Sequence, residues 1–229
     1  MNPRFLIGAI PREVISRMAH TKIANALRSL SLTREECEVI AGCLLGDGTL
    51  SKAGKNYRLR VEHQAMHREL VDWKYQKLSR LCLNEPKLVK QHNSYRFGTV
   101  GHPELNQWRM ECYSANSVKC IPESLVQWIS PKSIAIWFMD DGYKIHRTIG
   151  IAVHCFSEED IDRMRSVLGK FEVESQVQQD GHGKRLYVPT QSYEAFEGLV
   201  KPTMDEIPCM AYKLRQPCRD YTLAPVKAG

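Results

Sequence analysis

A chain of 229 residues with 43% apolar and 25% charged side chains has the makeup of an ordinary globular protein, long enough to bury a core as one domain or two small ones. No apolar run reaches the ~18 residues of a membrane span, so no membrane partner is expected. The formal net charge of +6 favours a polyanionic partner such as nucleic acid.

Residues 1–30 form a basic extension. From Met1 to Thr33 the only acid is Glu13, against Arg4, Arg12, Arg17, Lys22 and Arg28. This composition suits an organellar transit peptide, a DNA-contacting arm or a surface helix equally. A helix then starts at a cap supplied by Ser31 or Thr33, with Glu35 and Glu36 in its first turn. It runs through Ile40-Ala41-Gly42-Cys43-Leu44-Leu45-Gly46-Asp47-Gly48, where glycine is expected to close it in the left-handed conformation.

Ala53-Gly54-Lys55-Asn56 reads as a hairpin turn. Residues 57–64 then alternate, with Tyr57, Leu59, Val61 and His63 on one face and Arg58, Arg60, Glu62 and Gln64 on the other. A helix is expected over 67–83, strands over 87–91 and 94–100, and a helix over 103–113.

The order then repeats. Pro131 suits the first turn of a helix that ends in Ile134-Ala135-Ile136-Trp137-Phe138-Met139-Asp140-Asp141-Gly142. A strand over 148–155, a helix over 158–170, a hairpin over 173–188 and a helix over 193–200 follow. The predicted fold is α+β, an αββαββα unit written twice. The first half spans 31–121, the second 122–220, and 221–229 is a tail.

The spacing supports the duplication. The two stretches ending in Asp-Gly align without gaps, Ile-Ala on Ile-Ala, and 141 exceeds 47 by 94. Lys119, in Val118-Lys119-Cys120-Ile121-Pro122, and Lys213, in Ala211-Tyr212-Lys213-Leu214, stand at the same offset of 94. Gly42 and Gly46, four apart on one helical face, would let the first helix approach a neighbour closely. The second carries Ile136 and Asp140 there, so that contact would be asymmetric.

The stretches ending at Gly48 and Gly142 resemble the two LAGLIDADG motifs of single-chain homing endonucleases. Similar echoes are Lys119-Cys120-Ile121-Pro122, Ile207-Pro208-Cys209-Met210-Ala211-Tyr212-Lys213-Leu214, and Ser157-Glu158-Glu159-Asp160 opening a helix. The likeness runs from about Leu32 to Leu214. It implies motif helices packed at a pseudo-twofold axis and antiparallel sheets forming a DNA-binding saddle. It also implies a metal-dependent double-strand break in a long, asymmetric double-stranded DNA target, made by a monomer for intron mobility.

By position, Asp47 and Asp141 would be the metal ligands, with Gly46 and Asp140 beside them. Asp140 is expected to be supporting, since its counterpart is Gly46. Lys119 and Lys213 would assist catalysis near the scissile phosphates. The chemistry agrees, because a phosphodiester gains negative charge on reacting and oxygen ligands suit a hard cation such as Mg²⁺, with Mn²⁺ able to substitute.

Base reading would fall to Arg58, Arg60, Glu62 and Gln64, and secondarily to Arg96, Gln176, Gln178, Lys184 and Arg185. Lys52 and Lys55 are expected to meet phosphates. His63 and His67 are spaced for a metal but lack the adjacent glutamate of a zinc protease, and His63 falls on the core face, so both read as structural. Trp73, Trp108, Trp128 and Trp137 read as core. The eight cysteines, at 37, 43, 82, 112, 120, 155, 209 and 218, contain no Cys-x-x-Cys and read as buried reduced thiols. The compartment would be that of the host genome, bacterial or organellar, and not secretory. The alternatives from another class are an RNA maturase acting on intron RNA and a non-cleaving regulator of the same fold.

Overall fold

The computed structural model describes residues 22–181 and 183–214; the rest of the expected basic extension, His182, the end of the second half with Cys218, and the C-terminal tail lie outside the described residues. Helix α1 (Lys22–Arg28) leads into α2 (Arg34–Leu45), β1 (Thr49–Ala53), β2 (Asn56–Gln64), α3 (Arg68–Leu78), β3 (Lys87–Val89), β4 (Ser94–Gly98) and α4 (Glu104–Glu111). A short α5 (Glu123–Val126) joins the halves. The second half comprises α6 (Pro131–Asp141), β5 (Gly142–Ile145), β6 (Thr148–Ala152), α7 (Glu158–Gly169), β7 (Gln176–Asp180), β8 (Gly183–Val188) and α8 (Tyr193–Met204). A 3-10 segment, Pro208–Lys213, closes the described chain.

Each half builds a four-stranded antiparallel sheet, ordered β1-β2-β4-β3 and β5-β6-β8-β7. Alternation decides the faces. Leu59, Val61, Ile149, Ile151, Leu186 and Val188 are buried, and a single core runs from one half into the other through α2 and α6.

The helix starts are fixed chemically. Thr33, rather than Ser31, caps α2 in a capping box with Glu36; Ser130 caps α6 ahead of Pro131, and Ser157 caps α7 with Asp160.

Several expectations need correction. The motif glycines do not close their helices in the left-handed region: Gly142 has φ −81°, and the only described glycines with positive φ are Gly54 and Gly183. Space is what they supply, since a Cβ on Gly142 would lie 2.0 Å from Phe138 Cδ2. The second motif runs directly into β5, which pattern reading missed, as it missed α5. The strand expected over 148–155 ends at Ala152. The thiols are not uniformly buried: Cys37, Cys43, Cys82 and Cys112 are, whereas Cys155 is exposed. Trp73 and Trp137 are buried, while Trp108 and Trp128 stack at the core margin.

Candidate active site at the paired motif helices

Helices α2 and α6 pack against each other over their length. A Cβ on Gly42 would lie 2.8 Å from Ser133 O and one on Gly46 2.4 Å from Asp140 Oδ2, so both positions demand glycine for contact across the pair. Gly42 and Gly46 thus perform as the sequence suggests. The contact joins the motif ends: the Asp47 amide donates to Asp140 Oδ2 at 3.1 Å.

The matched lysines arrive symmetrically. Lys119 Nζ donates to the carbonyl of Gly46, and Lys213 Nζ donates to the carbonyl of Asp140 at 3.0 Å. Each therefore binds the carbonyl just before its motif's last aspartate. Burial lowers the pKa of both lysines, opposed by Asp47, Asp140 and Asp141 together. The four residues singled out as catalytic accordingly share one electrostatic neighbourhood.

The acids differ in state. The Asp47 side chain is 52% exposed, and its pKa is raised by burial of the remainder and by Asp140. Asp141 is pushed up to about 7 by burial and then by Asp140 and Asp47, with Lys119 and Lys213 opposing. Carboxylates whose pKa is raised by burial and by a neighbouring acid are short of positive charge, and their oxygen donors suit a hard divalent cation. Asp47 and Asp141 therefore fit such an ion.

Asp140 is spent otherwise. Its side chain is wholly buried, and Lys74 Nζ sits 2.6 Å from Oδ1. Burial works against its charge, but Lys74 and His63 outweigh that and hold its pKa below the usual carboxylate range. Asp47, His63 and Asp140 have the spacing of a metal site. The space between His63 and Asp140 is already taken, because the Lys74 ammonium also lies 3.1 Å from His63 Nε2.

Sequence reasoning missed Lys74 and underrated His63. The signal for Lys74 was present: it follows Leu70 by four and Val71 by three, so a charged side chain stands in the apolar stripe of α3. His63 does lie on the core face of β2, yet it meets this polar cluster, with Nδ1 3.5 Å from Asp47 Oδ2. His67, stacked on Tyr212, lines the same cleft as Asp47, His63, Asp140 and Lys213 but stands outside the metal-spaced trio.

On the outer sheet faces, Arg58 and Gln64 are exposed, and Arg60, Glu62 and Arg96 form an ion cluster in which Glu62 also accepts from Ser94. Gln178 accepts from Arg185 across the β7–β8 ladder, and Gln176 lies two residues along on the same face. Lys184 does not share that face. Alternation puts it with Leu186 and Val188, and its ammonium pairs with Glu158. Lys52 lies over the Tyr57 ring at 4.6 Å and donates to the Lys55 carbonyl.

Two helices that meet where α2 carries Gly42 and Gly46, with an acid and a lysine apiece and a flanking sheet each, define a duplicated α+β class of protein. The profile of the LAGLIDADG DNA endonuclease family matches residues 37–196, and the chain belongs to that family. The cytochrome b mRNA maturase bI2 of Debaryomyces hansenii is 26% identical, over 93% of this chain and 86% of its own. DNA endonuclease I-ChuI of Chlamydomonas applanata is also 26% identical, over 81% of this chain and 96% of its own. The structure of homing endonuclease I-WcaI bound to its DNA recognition sequence superposes with a TM-score of 0.75 at 22% identity, covering 94% of this chain and 99% of that one. That likeness establishes the shared fold.

Proposed function

We propose that this chain is a site-specific homing endonuclease that, as a monomer, cuts both strands of a long asymmetric duplex with Mg²⁺, Mn²⁺ serving in its place. The carrying observation is the convergence of Asp47, Asp141, Lys119 and Lys213 where the two motif helices end. A divalent ion held by Asp47 and Asp141 would supply positive charge at the scissile phosphates and acidify the attacking water. Lys119 and Lys213, fixed by backbone carbonyls, add charge where the phosphoryl oxygens become more negative. Gly46 contributes by its carbonyl and its lack of a side chain, and Asp140 by holding the Asp47 amide.

Base contacts are assigned to Arg58, Arg60, Glu62, Gln64 and Arg96 in the first half and to Gln176, Gln178 and Arg185 in the second, all on outer sheet faces. Lys184 is left out of this set.

Cleavage of the intron-lacking allele of the host gene tests the reading, first with Mg²⁺ and then with EDTA. Double-strand cutting should require the metal. Asp47→Asn and Asp141→Asn should each abolish it or leave only nicking, a loss on the order of a thousandfold on the affected strand. Full double-strand cutting by both variants would sink the assignment.

The Debaryomyces relative favours a second activity, assistance of intron splicing through bound intron RNA. A splicing assay with the host intron, run on the Asp47→Asn variant, separates the two, because a maturase role survives loss of scission.

A further inference from the structure

Lys74 is fully buried, yet its ammonium has partners: Asp140 Oδ1 at 2.6 Å and His63 Nε2 at 3.1 Å. An ammonium has donors and no acceptor, so His63 accepts at Nε2 and carries its proton on Nδ1, the atom facing Asp47 Oδ2 at 3.5 Å. Asp140 Oδ2 accepts the Asp47 amide. The circuit starts on the backbone of Asp47 and returns to its carboxylate.

The second half lacks this circuit. The motifs align Thr49 with Tyr143, and the ladders pair these with Arg60 and Gly150, so β2 and β6 correspond at an offset of 150 less 60, or 90. The same offset matches the buried residues of α3 with those of α7: Val71 with Ile161, Leu78 with Leu168. It puts Val153 opposite His63 and Met164 opposite Lys74, both buried. Gly46 already stands opposite Asp140. All three polar members are replaced together, as expected of a unit in which a buried charge without its partner is costly.

We propose that His63, Lys74 and Asp140 are positioning residues that hold Asp47 and make the two scission centres unequal, the Asp47 centre depending on this ring and the Asp141 centre not. This rests on the nuclease reading above. The link from Asp140 to Lys213 runs through a backbone carbonyl, so side-chain changes in the ring spare it.

The full chain is tested as Lys74→Met, and as the double variant Lys74→Met with Asp140→Ala, which leaves no buried charge unpaired. Each is assayed in single turnover on a target labelled separately on its two strands, with Asp47→Asn and Asp141→Asn defining which strand belongs to which centre. Both ring variants should slow the Asp47-dependent strand by about tenfold or more and the other by less than about threefold, so nicked DNA accumulates. If Lys74→Met does not fold, the double variant decides. Equal slowing of both strands, or unchanged cutting, in a variant that folds and binds DNA overturns the proposal. Mn²⁺ titration of the DNA complex, followed by electron paramagnetic resonance, gives a reading independent of turnover. One weakened site of two supports the ring's role, and equal weakening or none overturns it. If the unaltered protein fails to cut, the nuclease reading falls alone, and the titration still decides this one.

Discussion

Set rung against rung, the two halves agree where the backbone of the motif is handled and part company around it. Lys119 on the Gly46 carbonyl and Lys213 on the Asp140 carbonyl are the same contact made twice. One layer inward, the first half is ionic at His63 and Lys74, where the second is apolar at Val153 and Met164. On the outer faces, Arg60 and Glu62 correspond to Gly150 and Ala152, while Arg96 corresponds to Arg185. At Gly150 a Cβ would lie 3.2 Å from Tyr143 Cζ, so the ring crosses the glycine where the first half presents charge. Within this duplicated chain, the contacts on the motif backbone differ least between the halves, whereas the layers around them diverge half by half.

The shared layer is broken most severely at the lysines. Lys119→Ala and Lys213→Ala should each slow scission about a hundredfold, roughly 2.7 kcal/mol, with similar size in strand-resolved single-turnover rates. A loss confined to one lysine would make the symmetry merely geometric.

Next come the glycines. Gly46→Ala drives a Cβ to 2.4 Å from a carboxylate already fixed by Lys74, and Gly42→Ala meets Ser133 O at 2.8 Å. Each should cost about 1–3 kcal/mol in urea unfolding. Unchanged midpoints would mean that the helix pair is looser than described.

Recognition should be uneven. Arg58→Ala or Arg60→Ala is expected to relax base preference on one side of the target by about 1–2 kcal/mol, read by cleaving a library of singly substituted sites. A uniform loss over all positions would mark these as phosphate contacts instead.

The smallest effect concerns pH. Asp141 titrates near 7 in the folded, metal-free chain and near 4 when unfolded, so the folded state binds its proton more tightly. Its contribution to stability is full below the unfolded pKa and is lost as pH rises through about 7. Asp141→Asn should therefore flatten the stability profile between about pH 4 and 7, by about 1 kcal/mol after solvent screening. Thermal melts in EDTA across that range check it.

Much of this was legible because it was written twice. The equal offsets of Asp47 to Asp141 and Lys119 to Lys213 mark the site in the sequence itself, and the alternation over 57–64 gives the faces of β2. What stayed hidden depends on contacts across the chain. Asp140 and Lys74 stand 66 positions apart in sequence, and no local pattern joins them. Lys184 and Arg185 are adjacent cations, and sequence alone does not separate their faces. A one-residue step reverses the face, and only the ladder settles which side chain points out. Strand β5 escaped notice because it is four residues long and begins where α6 stops.

The difference between the offsets 94 and 90 also has a length attached to it. Thr49 reaches its partner Arg60 through a hairpin four residues longer than the one between Tyr143 and Gly150, or two residues per strand. At about 3.3 Å per residue the first hairpin extends some 7 Å further, close to two base steps of a duplex. Protection of bound DNA from hydroxyl radicals should accordingly stretch about two nucleotides further on the side gripped by the first half.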